Sequence, residues 1–131
     1  MTGFHTNVEA DVRANTNFRK VIYTAATRNM QLVLMSLKPL EEIGAEVHPT
    51  VDQFFRFEAG EGKVVMNGEE TLVKDGDVVV VPAGTQHNVI NTSTIADLKL
   101  YTIYTPANHP EGTIHATKAD AMAAEAAEHG K

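Results

Sequence analysis

Four polar side chains sit where chemistry could concentrate: Glu46, His48, Gln53 and His87. Carboxylates and imidazoles carry protons and offer lone pairs to metal ions, and a buried amide needs a hydrogen-bond partner or a ligand. Glu46 and His48 are two residues apart, so on an extended backbone their side chains share a face. Gln53 opens a stretch whose alternation puts Gln53, Phe55 and Phe57 on one face, a polar residue at the head of a phenylalanine stripe. His87 and Val89 share a face in the same way, one ionisable residue among apolar ones. Taken singly, each has a plainer reading. A strand histidine is more often a satisfied core or rim residue, Glu46 a surface carboxylate, and Gln53 a hydrogen-bonding strand start. The functional reading rests on their occurring together.

The elements that must position these residues are short strands. Alternation and turn residues predict strands near 18–25, 31–37, 53–58, 63–67, 70–73, 77–81, 86–90 and 97–105, with a further extended stretch at 45–49. Asn67-Gly68 is a two-residue hairpin signal because both residues tolerate positive φ. Pro39 closes the second strand, since proline offers no ladder donor. Short strands at regular spacing, with no helical pattern between them, point to an all-β sandwich or barrel. The first seventeen residues read as an N-terminal arm with at most a weak turn near 8–14, residues 18–105 as the barrel, and 106–131 as a C-terminal extension. The Ala-, Met- and Glu-rich stretch 118–129 predicts a short helix.

Two motifs carry a resemblance. Gly76, five residues, Pro82, one residue, Gly84, two residues, His87, three residues and Asn91 match the second cupin motif at each fixed position. The first cupin motif usually reads Gly, five residues, His-x-His, three or four residues, Glu, six residues, Gly. Counting back from Gly60, its glutamate position falls on Gln53, its second histidine on His48 and its first on Glu46, while its leading glycine position falls on Leu40, so that glycine is missing or displaced to Gly44. The chain therefore resembles a small single-domain cupin of the mannose-6-phosphate-isomerase-like or RmlC-like kind. The resemblance implies an all-β fold, a jelly-roll (double-stranded β-helix) barrel of two antiparallel sheets, often homodimeric. It also implies one divalent ion (Mn, Fe, Ni, Zn, Co or Cu) at the centre, and the ligand set here would be Glu46, His48, Gln53 and His87. The usual set is three histidines and a glutamate, so the chain departs from it twice. Glutamine binds only through its amide oxygen, and Gln53 could instead orient a substrate or a water. The family's carboxylate is absent at Gln53 and regained at Glu46, so the ligands still carry a single negative charge. The competing reading is a barrel that keeps the fold and has lost the metal.

Other residues carry weaker signals. Tyr101 and Tyr104 lie on the last long strand with opposite parity, so one of them faces the cavity, and with Gln53 they are the candidates for contact with a substrate. Arg56 and Phe54 lie on the face opposite Gln53, which suits a homodimer seam better than a site. His5, His109, His115 and His129 fall in turn-rich or terminal segments and are expected to be solvated. Gly60-Glu61-Gly62 is a tight turn without the lysine and hydroxyl of a phosphate loop.

Composition narrows the classes further. The absence of cysteine excludes disulfides, thiolate metal sites and cysteine nucleophiles. A net charge of −6, with the basic residues scattered, argues against a nucleic-acid partner. No apolar run approaches a membrane span and the first residues lack a secretory pattern, so a cytoplasmic address and no membrane partner are expected. The functional expectation is a metal-dependent enzyme acting on a small polar oxo or hydroxy compound or a sugar derivative. Its chemistry would be that of a Lewis acid (isomerase or lyase) or of dioxygen (dioxygenase). The alternative is a non-catalytic cupin that binds or senses a small molecule.

Overall fold

The computed structural model describes residues 3–129. In chain order the elements are α1 (Val8–Ala14), β1 (Arg19–Thr24), β2 (Gln31–Leu37), β3 (Asp52–Ala59), β4 (Glu61–Met66) and β5 (Glu69–Lys74). There follow β6 (Val78–Val81), β7 (His87–Asn91), β8 (Leu98–Thr105), β9 (Ile114–His115) and α2 (Lys118–His129). They form a six-stranded sheet in the order β6-β3-β8-β2-β1-β9 and a three-stranded sheet in the order β5-β4-β7.

The two sheets share one core. Phe55 and Phe57 of β3, Val33 and Met35 of β2 and Leu100 of β8 pack with Val64, Val73 and Val89 of the smaller sheet. Alternation drives this. In β3 the residues Gln53, Phe55 and Phe57 are buried while Phe54 and Arg56 are half-exposed, and β8 alternates in the same way from Leu98 to Tyr104. The outer face of the large sheet is apolar at one edge. Phe54 lies opposite Val80 and Ile103, and Arg56 opposite Val78 and Tyr101.

The expected all-β barrel is corrected in two respects. The fold is a mixed one, with a helix at each end, and its jelly-roll sheets do not close into a barrel. The N-terminal stretch is helical because Asn7 caps it, its side-chain oxygen accepting from Ala10 N at 3.0 Å, with Glu9 and Asp11 in the first turn and Arg13 in the last. Val12 of α1 is fully buried where the helix lies against β2, β3 and β8 of the large sheet, outside the cluster that the two sheets share, so tertiary packing holds a segment too short to be helical alone. Closure fails because no continuous ladder joins the sheets. The isolated bridges Glu42↔Ile90 and Glu46↔His87 are what link the loop after β2 to β7. Strand β9 was also not legible; it pairs with β1 through Arg19↔His115 and Lys20↔Ile114 and so anchors α2.

Two turns show why particular residues are needed. Asn67 and Gly68 have φ of 49° and 84°, the left-handed pair of a tight hairpin between β4 and β5. Gly60, at φ 92°, joins β3 to β4 where a Cβ would stand 2.5 Å from the carbonyl oxygen of Asp97. Gly60→Ala should therefore cost on the order of 2 kcal/mol, seen as a lower Tm in thermal denaturation. An unchanged Tm would show that the chain relaxes there freely.

Candidate metal centre

The site is assembled by backbone hydrogen bonds between the two motifs. Glu46 N donates to His87 O at 2.8 Å and His87 N to Glu46 O at 2.9 Å, so these residues face each other across a single antiparallel bridge. Gly84 N, in the Pro82-Ala83-Gly84 turn, donates to His48 O at 2.9 Å, and Ala83 N donates to Asp52 Oδ1 at 2.8 Å. The turn of the second motif thereby fixes the strand that carries the first. Asn91 is a structural clamp rather than a site residue. Its buried amide donates to the carbonyls of Leu37, Lys38 and Ala96, and its oxygen accepts from Ser93 N.

Glu46, His48 and His87 converge, with one donor atom from each lying within 4.8 Å of the others. His48 Nε2 stands 2.8 Å from Glu46 Oε2, yet it has no aligned hydrogen bond. Donors about 2.1 Å from one ion at right angles stand about 3.0 Å apart, so the spacing of this pair also suits a shared ion. His87 Nδ1 lies 3.0 Å from Thr85 O, which assigns the proton to Nδ1 and leaves Nε2 as a lone-pair donor. Gln53 is buried; its Nε2 donates to Thr102 Oγ1 at 2.9 Å, and its Oε1 has no partner. An orphaned buried carbonyl is costly unless something completes it. Mixed nitrogen and oxygen donors without sulfur fit a first-row divalent ion, and the residues present therefore fit the group that the fold implies.

Burial pushes the Glu46 carboxyl up, but His48, Arg19 and His87 together hold it below its usual 4.5, so it is a carboxylate at neutral pH. The His48 ring lies 5.4 Å from that of His87 and 6.0 Å, edge-on, from that of Tyr104. Burial raises the Tyr104 hydroxyl above its ordinary 10.0, keeping it a neutral donor. Tyr101 lies on the outer face, its ring 6.2 Å from Phe54, so parity resolves in favour of Tyr104 at the cavity.

A cavity of about 520 Å³ opens beside the triad, lined by Glu46, His48, Asn108, His109, Lys118 and Glu125 among others. His109 was expected to be solvated and is instead a cavity residue, its Nε2 3.2 Å from the Tyr104 hydroxyl. Gln31, fully buried, clamps its backbone: Gln31 Oε1 accepts from Asn108 N and His109 N, and Gln31 Nε2 donates to His109 O. His115 is likewise half-buried, with Nδ1 3.4 Å from Arg19 Nη1, whereas His5 is exposed and the side chain of His129 lies outside the described residues. Arg19, also unread from the sequence, is buried behind the cavity wall. Its only signal was a charge at one parity of a strand whose other parity carries Lys20.

Comparison with known proteins agrees with this geometry. The cupin domain model matches residues 33–104, and the chain belongs to the cupin family. It is similar to the uncharacterised protein YrkC of Bacillus subtilis (strain 168), at 48% identity over 93% of this chain and 67% of that protein. It is 46% identical to the uncharacterised protein L612 of Acanthamoeba polyphaga mimivirus, over 82% of this chain and 68% of that one. Among solved structures, BH2720 from Bacillus halodurans superposes with a TM-score of 0.87 at 44% identity, covering 92% of this chain and 93% of that one. Among the described residues, no helix is long and apolar enough to cross a membrane.

Burial first, then the charge of Arg19, depresses His109 to about 3, so the ring is neutral in the folded chain at pH 7. Because its ordinary value is 6.5, the unfolded chain binds the extra proton between the two values, and stability falls as pH drops through that window. Metal-free protein should lose Tm from pH 6.5 towards 4, and His109→Gln should flatten the decline. An identical slope in both would assign the acid sensitivity elsewhere.

Proposed function

We propose that this chain is a divalent-metal cupin that acts on a small polar molecule chelated at the ion. The observation that carries this reading is the convergence of Glu46, His48 and His87 beside a cavity that the first two of them line. In this reading those three residues hold the ion and the unpartnered Oε1 of Gln53 supplies a fourth donor. The bound ion would act as a Lewis acid on an oxo or hydroxy compound or a sugar derivative, or would activate dioxygen. Tyr104 keeps its proton and can donate a hydrogen bond to a developing oxyanion, and the neutral ring of His109, 3.2 Å away, orients that hydroxyl. This neighbouring pair favours an enzyme over a purely binding barrel.

Metal analysis of protein purified without a histidine tag tests the centre. Near-stoichiometric metal is expected in the wild type, and a loss of tenfold or more on the order of magnitude seen for removal of a ligand in His48→Ala. Equal and negligible metal in both proteins would sink the reading. Oxygen uptake by the loaded protein separates dioxygen from Lewis-acid chemistry.

The chain is further proposed to form a homodimer through the outer face of the large sheet. Val78 and Val80 of the edge strand are 46% and 57% exposed, beside Phe54, Tyr101 and Ile103. Light scattering should give a dimer mass for the wild type and a monomer for Val80→Glu. A wild-type monomer would refute it.

A further inference from the structure

Behind Glu125, a residue of the cavity wall, lies a charge that the metal reading does not use. Arg19 is 2% exposed, a burial that arginine tolerates only when paired. Its pairing is poor. Nη1 reaches Glu125 Oε1 at 3.5 Å, the limit of a hydrogen bond, and His115 Nδ1 at 3.4 Å, and Nε has no partner. The Glu125 side chain is itself 48% exposed and lines the cavity, so the counter-ion of a buried guanidinium is a wet, long carboxylate on α2. Lys118, in the first turn of the same helix, lines the cavity too. The lining also includes Ile43, Val47 and Met122, apolar surface suited to a short carbon chain.

We propose that this wall is an anion site in which Arg19 and Lys118 take a carboxylate of the bound compound, displacing the Glu125 side chain from Arg19. A planar guanidinium presents two parallel donors that match a carboxylate, and such a bond would satisfy Nε as well as Nη. The compound is thus a small dicarboxylic acid, chelating at its hydroxy- or oxo-acid end and anchored at its distal carboxylate. The cavity, at about 520 Å³, is of the size that takes such a molecule. The charge of Arg19 is felt by Glu46, Tyr104 and His109, which places the guanidinium within electrostatic reach of the site. The chelating end rests on the metal reading; the distal end does not.

The test compares two acids of equal carbon length, 2-hydroxyglutarate and 2-hydroxypentanoate, by calorimetry on nickel-loaded protein. The dicarboxylate should bind about tenfold or more tighter, as one charge-assisted pair supplies. Arg19→Gln should erase that difference, bringing the dicarboxylate down to the affinity that 2-hydroxypentanoate has for the same variant. Lys118→Ala, a change on the helix surface that leaves the core intact, should narrow it. Glu125→Gln decides between this site and a mere docking contact for α2: removing a competing carboxylate should tighten the dicarboxylate, whereas loss of a docking contact should not. Equal affinities in the wild type, a difference that survives Arg19→Gln, or weaker dicarboxylate binding in Glu125→Gln would each overturn the proposal. Should Arg19→Gln fail to fold, Lys118→Ala and Glu125→Gln carry the decision. His48→Ala and a titration of metal-free protein with glutarate separate the two readings. If the metal reading alone fails, glutarate still binds in an Arg19-dependent way; if the anion site alone fails, 2-hydroxypentanoate still binds in a His48-dependent way.

Discussion

The arrangement turns on one short contact between backbones, the isolated bridge between Glu46 and His87. Neither residue belongs to a long ladder on that side, yet two mutual hydrogen bonds set their side chains on a common face. Because His48 is two residues on, the same extended backbone brings it to that face, and the Gly84 to His48 bond prevents the strand from drifting. Three donors thus converge, with Glu46 and His48 already in contact at 2.8 Å. A site prepared in this way loses little side-chain freedom when a ligand enters.

The open sandwich explains why such a bridge is needed. A closed barrel would position its lining through continuous strand pairing, whereas here the three-stranded sheet meets the six-stranded one through core packing and two bridges. The ends of the chain complete the structure. Helix α1 buries Val12 against the large sheet, and β9 brings α2 to the cavity, where Lys118 and Glu125 form part of the wall. Residues far apart in sequence thereby share one cavity.

Its polar groups are unevenly satisfied, and the unevenness is informative. Asn91 and Gln31 use their amides fully and act as clamps for turns. Gln53 Oε1 and Arg19 Nε are buried and lack partners. Buried polar atoms are normally paired, so such exceptions near the site mark where a ligand would restore the balance.

The sequence by itself determined most of the strands, the Asn67-Gly68 hairpin, the helix over 118–129 and the second motif, because alternation, left-handed turns and fixed spacings are local properties. It also identified Glu46, His48 and His87 as candidates, through spacing within two motifs. Helix α1 escaped because its stability comes from burying Val12 against strands distant in sequence, and His109 and Arg19 because their burial depends on Gln31, β9 and α2. Whether the sheets close, which tyrosine faces inward and which charges meet across the cavity were decided by the tertiary structure alone. Those are long-range contacts, and no local pattern encodes the partner that a side chain meets when distant segments pack.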